Sequence, residues 1–230
     1  MSAALGWGAL AASSLVLGAL LGLVRAWPDR LIGLVLAFGA GALVSAVSFD
    51  LAQEGVKVGG GAAVAIGLAA GAFTYFALDR PLERRPEAGG SVLALGAFLD
   101  GIPEQLVLGI GLAEGGGVSV GLLVAVFVSN LPEAIGSATD MKSARRSAGR
   151  ILLVWTTVAV LCVAATLVGY QLQEIAGAQL RGGINGFAAG ALLVMLVGSM
   201  IPEATQKAGE KAGLAAVLGF AVAAGLSLAG

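Results

Sequence analysis

The chain has 230 residues, of which 58% are hydrophobic and 12% are charged, and its formal net charge is −1. So apolar a composition excludes an ordinary soluble domain and is typical of a polytopic membrane protein. The near-neutral charge, without a basic cluster interleaved with aromatic residues, also excludes nucleic acid as a partner.

The first apolar run predicts a membrane helix that is retained. No Lys or Arg precedes its apolar core, which is about 20 residues long rather than the 7–15 of a signal peptide. Further segments of roughly 20 mostly apolar residues follow, joined by short polar connections. We therefore predict an all-α bundle of about eight transmembrane helices, forming a single transmembrane domain over residues 1–230. The predicted spans are 3–24, 31–54, 58–78, 91–112, 118–139, 151–170, 184–206 and 214–228.

Lys and Arg are distributed unevenly between the two sets of connections. Eleven follow spans one, three, five and seven, and two lie on the opposite side. Because positively charged loops stay in the cytoplasm, this predicts a multi-pass protein of the cell (inner) membrane with both termini outside the cytoplasm. The eleven are Arg25, Arg30, Arg80, Arg84, Arg85, Lys142, Arg145, Arg146, Arg150, Lys207 and Lys211, and the two are Lys57 and Arg181.

Spans two and seven contain an internal repeat. "FGAGALVSAVSFDLAQE" begins at Phe38 and "FAAGALLVMLVGSMIPE" begins at Phe187, and this alignment places Glu54 on Glu203 without a gap. Inverted repeats build many transporters, whose substrate site lies near the middle of the membrane where the repeats meet. The small residues in these spans also permit close helix packing, so a homodimer is expected.

Spans four and five each contain a proline followed directly by a glutamate. In "DGIPEQL", Asp100 and Glu104 are four residues apart, and in "SNLPEAI", Asn130 and Glu133 are three apart, so each pair lies on one helix face. Each proline also removes the hydrogen bond to a carbonyl four residues earlier. Ser129 adds a hydroxyl one turn before Glu133.

An ionised carboxylate inside a bilayer is costly, and no Lys or Arg within the predicted spans neutralises these groups. The acidic side chains must therefore be protonated, face a water-filled cavity or bind a cation. A packing kink at each proline and a neutral, hydrogen-bonded acid at each glutamate are the structural alternatives. The acidic residues in or at the ends of spans are Asp50, Glu54, Asp100, Glu104, Glu133 and Glu203.

The only cysteine, Cys162, lies in an apolar stretch and cannot form a disulfide within the chain. We expect it to be a small buried residue. An organic cofactor is not expected, and no recognisable protease motif surrounds the aspartates in the spans, so the chain is not predicted to be an enzyme.

These features resemble the ZIP (Zrt/Irt-like) family of divalent metal transporters. The family has eight spans in a 3+2+3 arrangement with an inverted repeat, and a binuclear metal site built from His-Asn-x-Pro-Glu in span four and a related Pro-Glu motif in span five. The resemblance implies that Asp100, Glu104, Ser129, Asn130 and Glu133 bind metal. It also likens Asp50, Glu54 and Glu203 to polar residues that the family places in spans two and seven.

Two departures from the family pattern bear on the cargo. The chain has no histidine, and span six lacks the acidic residue of many members. A site of oxygen donors favours manganese, magnesium, calcium or ferrous iron, while zinc also accepts carboxylates.

We therefore expect the lipid bilayer and a metal ion as partners, with zinc, manganese or iron as the transported substrate. The metal would bind between spans four and five and leave past Glu54 and Glu203. Two alternatives remain open at this point: a protein of the same fold that has lost transport and serves as a scaffold, and a proton-linked carrier of another small solute.

Overall fold

The computed structural model describes the backbone of residues 1–83, 90–113 and 119–229, and the side chains of residues 1–80, 101–113, 119–172 and 175–227. Arg84 and Arg85, which were counted for the orientation, lie outside the described residues. The described chain forms eight helices and no β-strand. The helices are α1 (Ser2–Val24), α2 (Asp29–Gly59), α3 (Gly61–Glu83), α4 (Gly90–Ala113), α5 (Val120–Ser143), α6 (Ala148–Ile175), α7 (Ala178–Ala208) and α8 (Lys211–Ala229).

The length and apolar character of these helices make the chain a polytopic membrane helix bundle. Six helices, namely α1, α2, α3, α5, α6 and α7, are long and apolar enough to cross a bilayer. The described side chains of the other two helices form shorter apolar segments, Gly101–Ala113 in α4 and Lys211–Ser227 in α8. The predicted fold class, an all-α bundle of membrane helices, is confirmed.

One end of the bundle carries the basic residues Arg25, Lys142 and Lys207, and we call it the basic end. Here Lys142, in the last turn of α5, donates a 2.6 Å hydrogen bond from Nζ to the carbonyl of Leu23. This bond satisfies a carbonyl in the last turn of α1 and ties the two helix ends together. At the opposite end, Ser119 caps the start of α5 by accepting a hydrogen bond from the backbone N–H of Leu122 at 3.2 Å.

Helices α2 and α7 are both interrupted by a π-helical segment. The segments are Val47–Gln53 in α2 and Leu196–Met200 in α7. When Phe38 is aligned with Phe187, Val47 falls on Leu196, so the two π segments begin at equivalent positions. π-Helical turns are rare and frequently mark functional sites. The repeat seen in the sequence therefore has a matching distortion of the backbone.

The helix contacts also come in matched pairs. Helix α2 packs on α8 as α7 packs on α3, and α1 packs on α5 as α6 packs on α4. The repeat makes α1 equivalent to α6, α2 to α7, α3 to α8 and α4 to α5. With this correspondence, the α2–α8 contact is equivalent to the α7–α3 contact, and the α1–α5 contact is equivalent to the α6–α4 contact. Equivalent helices are five positions apart for the first three pairs and one position apart for α4 and α5. Because both numbers are odd and successive helices alternate in direction, equivalent helices run in opposite directions. The two inverted repeats therefore flank α4 and α5 in the 3+2+3 arrangement that the resemblance implies.

Glycines allow the helices in these pairs to pack closely against each other. A Cβ on Gly219 of α8 would overlap the backbone carbonyl of Phe38, and a Cβ on Gly71 of α3 would overlap the carbonyl of Phe187. Since lipid is as apolar as the helices, such close backbone packing drives helix association in membranes. The repeat is thus preserved in its interhelical contacts.

The buried apolar residues form two clusters. The larger one contains residues of every helix except α6, and the smaller one joins α1, α5 and α6. Cys162 is fully buried in the smaller cluster, beside Trp155 and Ala134, so its prediction as a small buried residue is confirmed. Helix α5 contributes to both clusters and therefore lies at the centre of the bundle.

Candidate functional site

A small polar cavity lies where α4, α5 and α7 meet, with one wall from α2. Its carboxylates come from three helices: Glu104 on α4, Glu133 on α5 and Glu203 on α7. The volume of the cavity is about 20 Å³, which is room for one water molecule or one metal ion. The lining residues are Leu36, Glu104, Glu133, Met195, Ser199, Met200 and Glu203.

A direct hydrogen bond links two of the predicted site residues across the α4–α5 interface. Ser129 Oγ donates to Glu104 Oε1 at 2.9 Å, and both residues are buried, with exposed fractions of 1% and 2%. Helix α2 packs closely over Ser129, since a Cβ on Gly39 would lie 2.9 Å from the Ser129 Cα. The predicted pairing of spans four and five is therefore present at these two residues.

Asn130 follows Ser129 and has an unusual environment. Its side chain is 1% exposed, and within the described part of the chain neither its amide oxygen nor its amide nitrogen has a hydrogen-bond partner. Leaving a buried amide without partners costs free energy, so such groups usually bind water or an ion. Asn130 is therefore suited to receive a ligand that supplies the missing partner.

Gln105 extends the polar network from α4 to α6. Its Oε1 accepts a 2.7 Å hydrogen bond from Thr166 Oγ1, and both side chains are fully buried. Adjacent residues on α4 thus bond to the two neighbouring helices, Glu104 to α5 and Gln105 to α6. The spacing of apolar residues along α6 contains no signal that would have identified Thr166 as this partner.

Glu203 makes an ion pair at the cavity. Its Oε1 lies 2.6 Å from Nζ of Lys207, one turn further along α7. The prediction that no Lys or Arg within the spans is available to the acidic residues is corrected here, because α7 extends to Ala208 and includes Lys207. Glu203 therefore reaches the cavity with a positive charge already beside it.

Sequence reasoning missed Ser199, which lines the cavity. A signal was present in the repeat, since the alignment of Phe38 with Phe187 places Ser199 on Asp50. Both residues lie in the π-helical segments. The repeat position that carries a carboxylate in α2 thus carries a hydroxyl in α7.

Asp50 and Glu54 do not line this cavity. Asp50 Oδ2 is 3.5 Å from Ser119 Oγ and 3.4 Å from Ser227 Oγ, which lie at the start of α5 and near the end of α8. Glu54 pairs with Lys57 at 3.1 Å, five residues before α2 ends at Gly59. Both acidic residues therefore lie towards the end of the bundle opposite the basic end, and the structure does not bring Glu54 to a common exit with Glu203.

The remaining predicted ligand, Asp100, lies in the backbone of α4, but its side chain lies outside the described residues. Among the residues whose side chains the structure describes, no three His, Cys, Asp or Glu groups converge closely enough to hold a metal ion. Glu104, Glu133 and Glu203 line one cavity without meeting at one point. A bound cation would have to draw these carboxylates together.

A second, larger cavity of about 130 Å³ lies between α2, α7 and α8. Apart from Thr205, its lining residues are apolar, and none is charged; they include Ala37, Val44 and Ile201. Because a divalent cation needs several polar donors, this cavity does not suit one. The polar cavity is therefore the candidate site despite its smaller volume.

The fold and the site define a multi-pass membrane protein with a carboxylate-lined cavity inside the bundle. No protein-family model matches the chain. The chain is similar to a protein of Arabidopsis thaliana named "Putative zinc transporter", with 30% identity over 190 residues. The match covers 76% of this chain and 30% of the relative, so the chain spans less than a third of the length of that relative.

Proposed function

We propose that this chain is a transporter of divalent metal cations of the ZIP family and binds its cargo between α4 and α5. The observation that carries the proposal is the cavity shared by Glu104 and Glu133, the glutamates of the two Pro-Glu motifs. The buried Asn130 amide has no hydrogen-bond partner in the described chain, and its oxygen could bind a metal ion. The name of the plant relative supports a metal as the cargo.

The chemistry of the metal-binding atoms limits which metal ions are expected as the transported substrate. The proposed ligands are the side chains of Asp100, Glu104, Ser129, Asn130 and Glu133, all of which offer oxygen. Oxygen donors suit manganese and ferrous iron, and zinc accepts carboxylates as well. We therefore expect zinc, manganese or iron to be transported, without an organic cofactor and without catalysis of a chemical reaction.

A transport path follows from the positions of the outer carboxylates. Asp50 and Glu54 lie towards one end of the bundle, the Glu104–Glu133 cavity lies near the middle of α4 and α5, and Glu203 lies towards the basic end. A cation that enters beside Asp50 can bind between α4 and α5 and leave past Glu203. Alternating access by movement of the repeats would open each side in turn.

The same proposal places the protein in the cell membrane. With the basic end in the cytoplasm, as the distribution of Lys and Arg favours, both termini face the other side. Residues 1–230 form one transmembrane domain in this arrangement. The small residues of the helix faces would also serve a homodimer contact.

Uptake by proteoliposomes tests this function. Purified protein is reconstituted, and flux is measured separately for zinc, manganese, ferrous iron, cobalt, magnesium and calcium. We expect saturable flux of at least one transition metal, which falls at least about tenfold in Glu104→Gln and in Glu133→Gln because each change removes a charged ligand. Glu210→Gln is the matched control, since Glu210 is exposed in the turn between α7 and α8 and does not line the cavity, and it should retain most of the flux.

Two results would contradict the proposal. Folded protein that neither binds nor moves any of these metals would favour a bundle that has lost transport and serves as a scaffold. Uptake of another solute that follows a proton gradient and ignores all metals would favour a proton-linked carrier.

A further inference from the structure

The Lys207 side chain lies between its own helix α7 and the helices α2 and α5, towards the basic end of the bundle. Its Nζ lies 2.6 Å from Glu203 Oε1, and a Cβ on Gly136 of α5 would lie 3.5 Å from it. On the other side, a Cβ on Gly33 of α2 would lie 2.7 Å from the Lys207 Cβ. Only 23% of the Lys207 side chain is exposed, against 41% for Glu203. The lysine is therefore packed into the bundle rather than extended into solvent.

The position of Gly136 places this ammonium on the route away from the cavity. Gly136 is three residues after Glu133 on α5, so Nζ lies about one helical turn from Glu133 towards the basic end. Asp140, one further turn along α5, interacts electrostatically with both Lys207 and Glu203, and with Asp29 at the start of α2. Lys207 is thus the positive charge among carboxylates from α2, α5 and α7.

The repeat provides a comparison for this pair. Glu54, the repeat equivalent of Glu203, also pairs with a lysine of its own helix, Lys57, at 3.1 Å. The Lys57 side chain is 60% exposed, and its pair does not line the cavity. An exposed ion pair of this kind contributes little to the stability of the protein. The two ion pairs therefore share their chemistry but differ in burial and in access to the proposed path.

We infer that Lys207 is a built-in counter-cation that competes with the metal for Glu203 at the exit of the transport path. The inference rests on the proposed function. A charge-assisted hydrogen bond from the ammonium occupies one carboxylate oxygen of Glu203 and repels an approaching cation. A metal leaving the site must displace the ammonium, so Lys207 limits how tightly the exit retains the ion.

Equilibrium metal binding by the purified full-length protein tests the inference. Dialysis against manganese or zinc is carried out on the wild type, Lys207→Gln, Lys207→Arg and the matched control Lys57→Gln. We expect Lys207→Gln to bind the metal about tenfold more tightly, because one competing positive charge has been removed. Lys207→Arg keeps the charge and should stay within about twofold of the wild type, as should Lys57→Gln. A merely structural role for Lys207 would instead weaken binding in Lys207→Gln.

Chemical labelling of the wild type decides the question should Lys207→Gln fail to fold. An amine-reactive reagent is applied with and without the metal, and modification of each lysine is read by mass spectrometry. We expect the metal to increase labelling of Lys207 saturably, since the displaced ammonium becomes accessible, and to leave Lys57 unchanged. Metal binding without any change at Lys207, or equal affinity in Lys207→Gln and Lys57→Gln, overturns the inference and leaves the proposed function intact. Absence of metal binding by the folded wild type overturns the proposed function and this inference with it.

Discussion

The hydroxyl of Ser129 donates a hydrogen bond of 2.9 Å to Oε1 of Glu104, and this bond joins the two Pro-Glu helices where both are buried. This hydrogen bond keeps one oxygen of Glu104 oriented towards α5, and the residue also lines the cavity. The polar centre of the bundle is therefore held by a specific contact as well as by helix packing.

Removal of this hydroxyl should destabilise the bundle. Ser129→Ala removes the hydroxyl that donates to Glu104 Oε1, and we expect a loss of about 0.5–2 kcal/mol in the free energy of unfolding. Ser45→Ala is the matched control, because Ser45 Oγ is buried and has no hydrogen-bond partner within the described chain. Thermal unfolding in detergent measures both variants. A loss in Ser45→Ala as large as that in Ser129→Ala would show that the Glu104 bond contributes nothing specific.

The Gln105–Thr166 hydrogen bond should stabilise the α4–α6 contact. Thr166→Val keeps the shape of the side chain but removes the donor to Gln105 Oε1, and we expect it to lower the free energy of unfolding by about 1–2 kcal/mol. Thr157→Val on the same helix serves as the control, since Thr157 is exposed and donates to the carbonyl of Leu153 within its own helix. Equal unfolding midpoints for the two variants would contradict a stabilising role for the buried bond.

Replacement of Asn130 by leucine should raise the stability of the metal-free protein and weaken metal binding. Asn130→Leu replaces a buried amide without hydrogen-bond partners in the described chain by an apolar side chain of similar size, so we expect the metal-free protein to gain about 1 kcal/mol. The same change removes a proposed ligand, so the rise in unfolding temperature that metal produces in the wild type should shrink or vanish. Thermal unfolding with and without manganese checks both effects. An unchanged metal-induced rise would exclude Asn130 as a ligand.

Close packing at the repeat contacts should tolerate no side chain at two glycines. Gly219→Ala and Gly71→Ala each place a methyl group against a backbone carbonyl, and we expect each to cost about 1–3 kcal/mol because the helices must separate. Gly225→Ala on α8 is the control, since a Cβ there meets nothing within 4 Å. Denaturation in detergent compares the three variants. Similar stability of Gly219→Ala and Gly225→Ala would show that α2 and α8 are not held at this distance.

The all-α membrane fold, the repeat and the residue types of the candidate site could be predicted from the amino-acid sequence. Apolar length and loop charge are local properties, and a carboxylate in an apolar helix demands a partner wherever the helix lies. The alignment of Phe38 with Phe187 could also be read from the sequence, whereas the π-helical segments that begin at equivalent positions of the repeat were found only in the structure.

Which of these carboxylates share a cavity depends on the packing of the helices and could not be read from the sequence. The tertiary structure places Glu203 in the cavity with Glu104 and Glu133, leaves Glu54 near the other end, and pairs Glu203 with Lys207. The physical reason is that membrane helices are apolar on nearly every face, so hydrophobic periodicity cannot say which face meets which neighbour. Close contacts at glycine and rotation of the chain at the π-helical segments fix that choice, and both depend on the packed bundle.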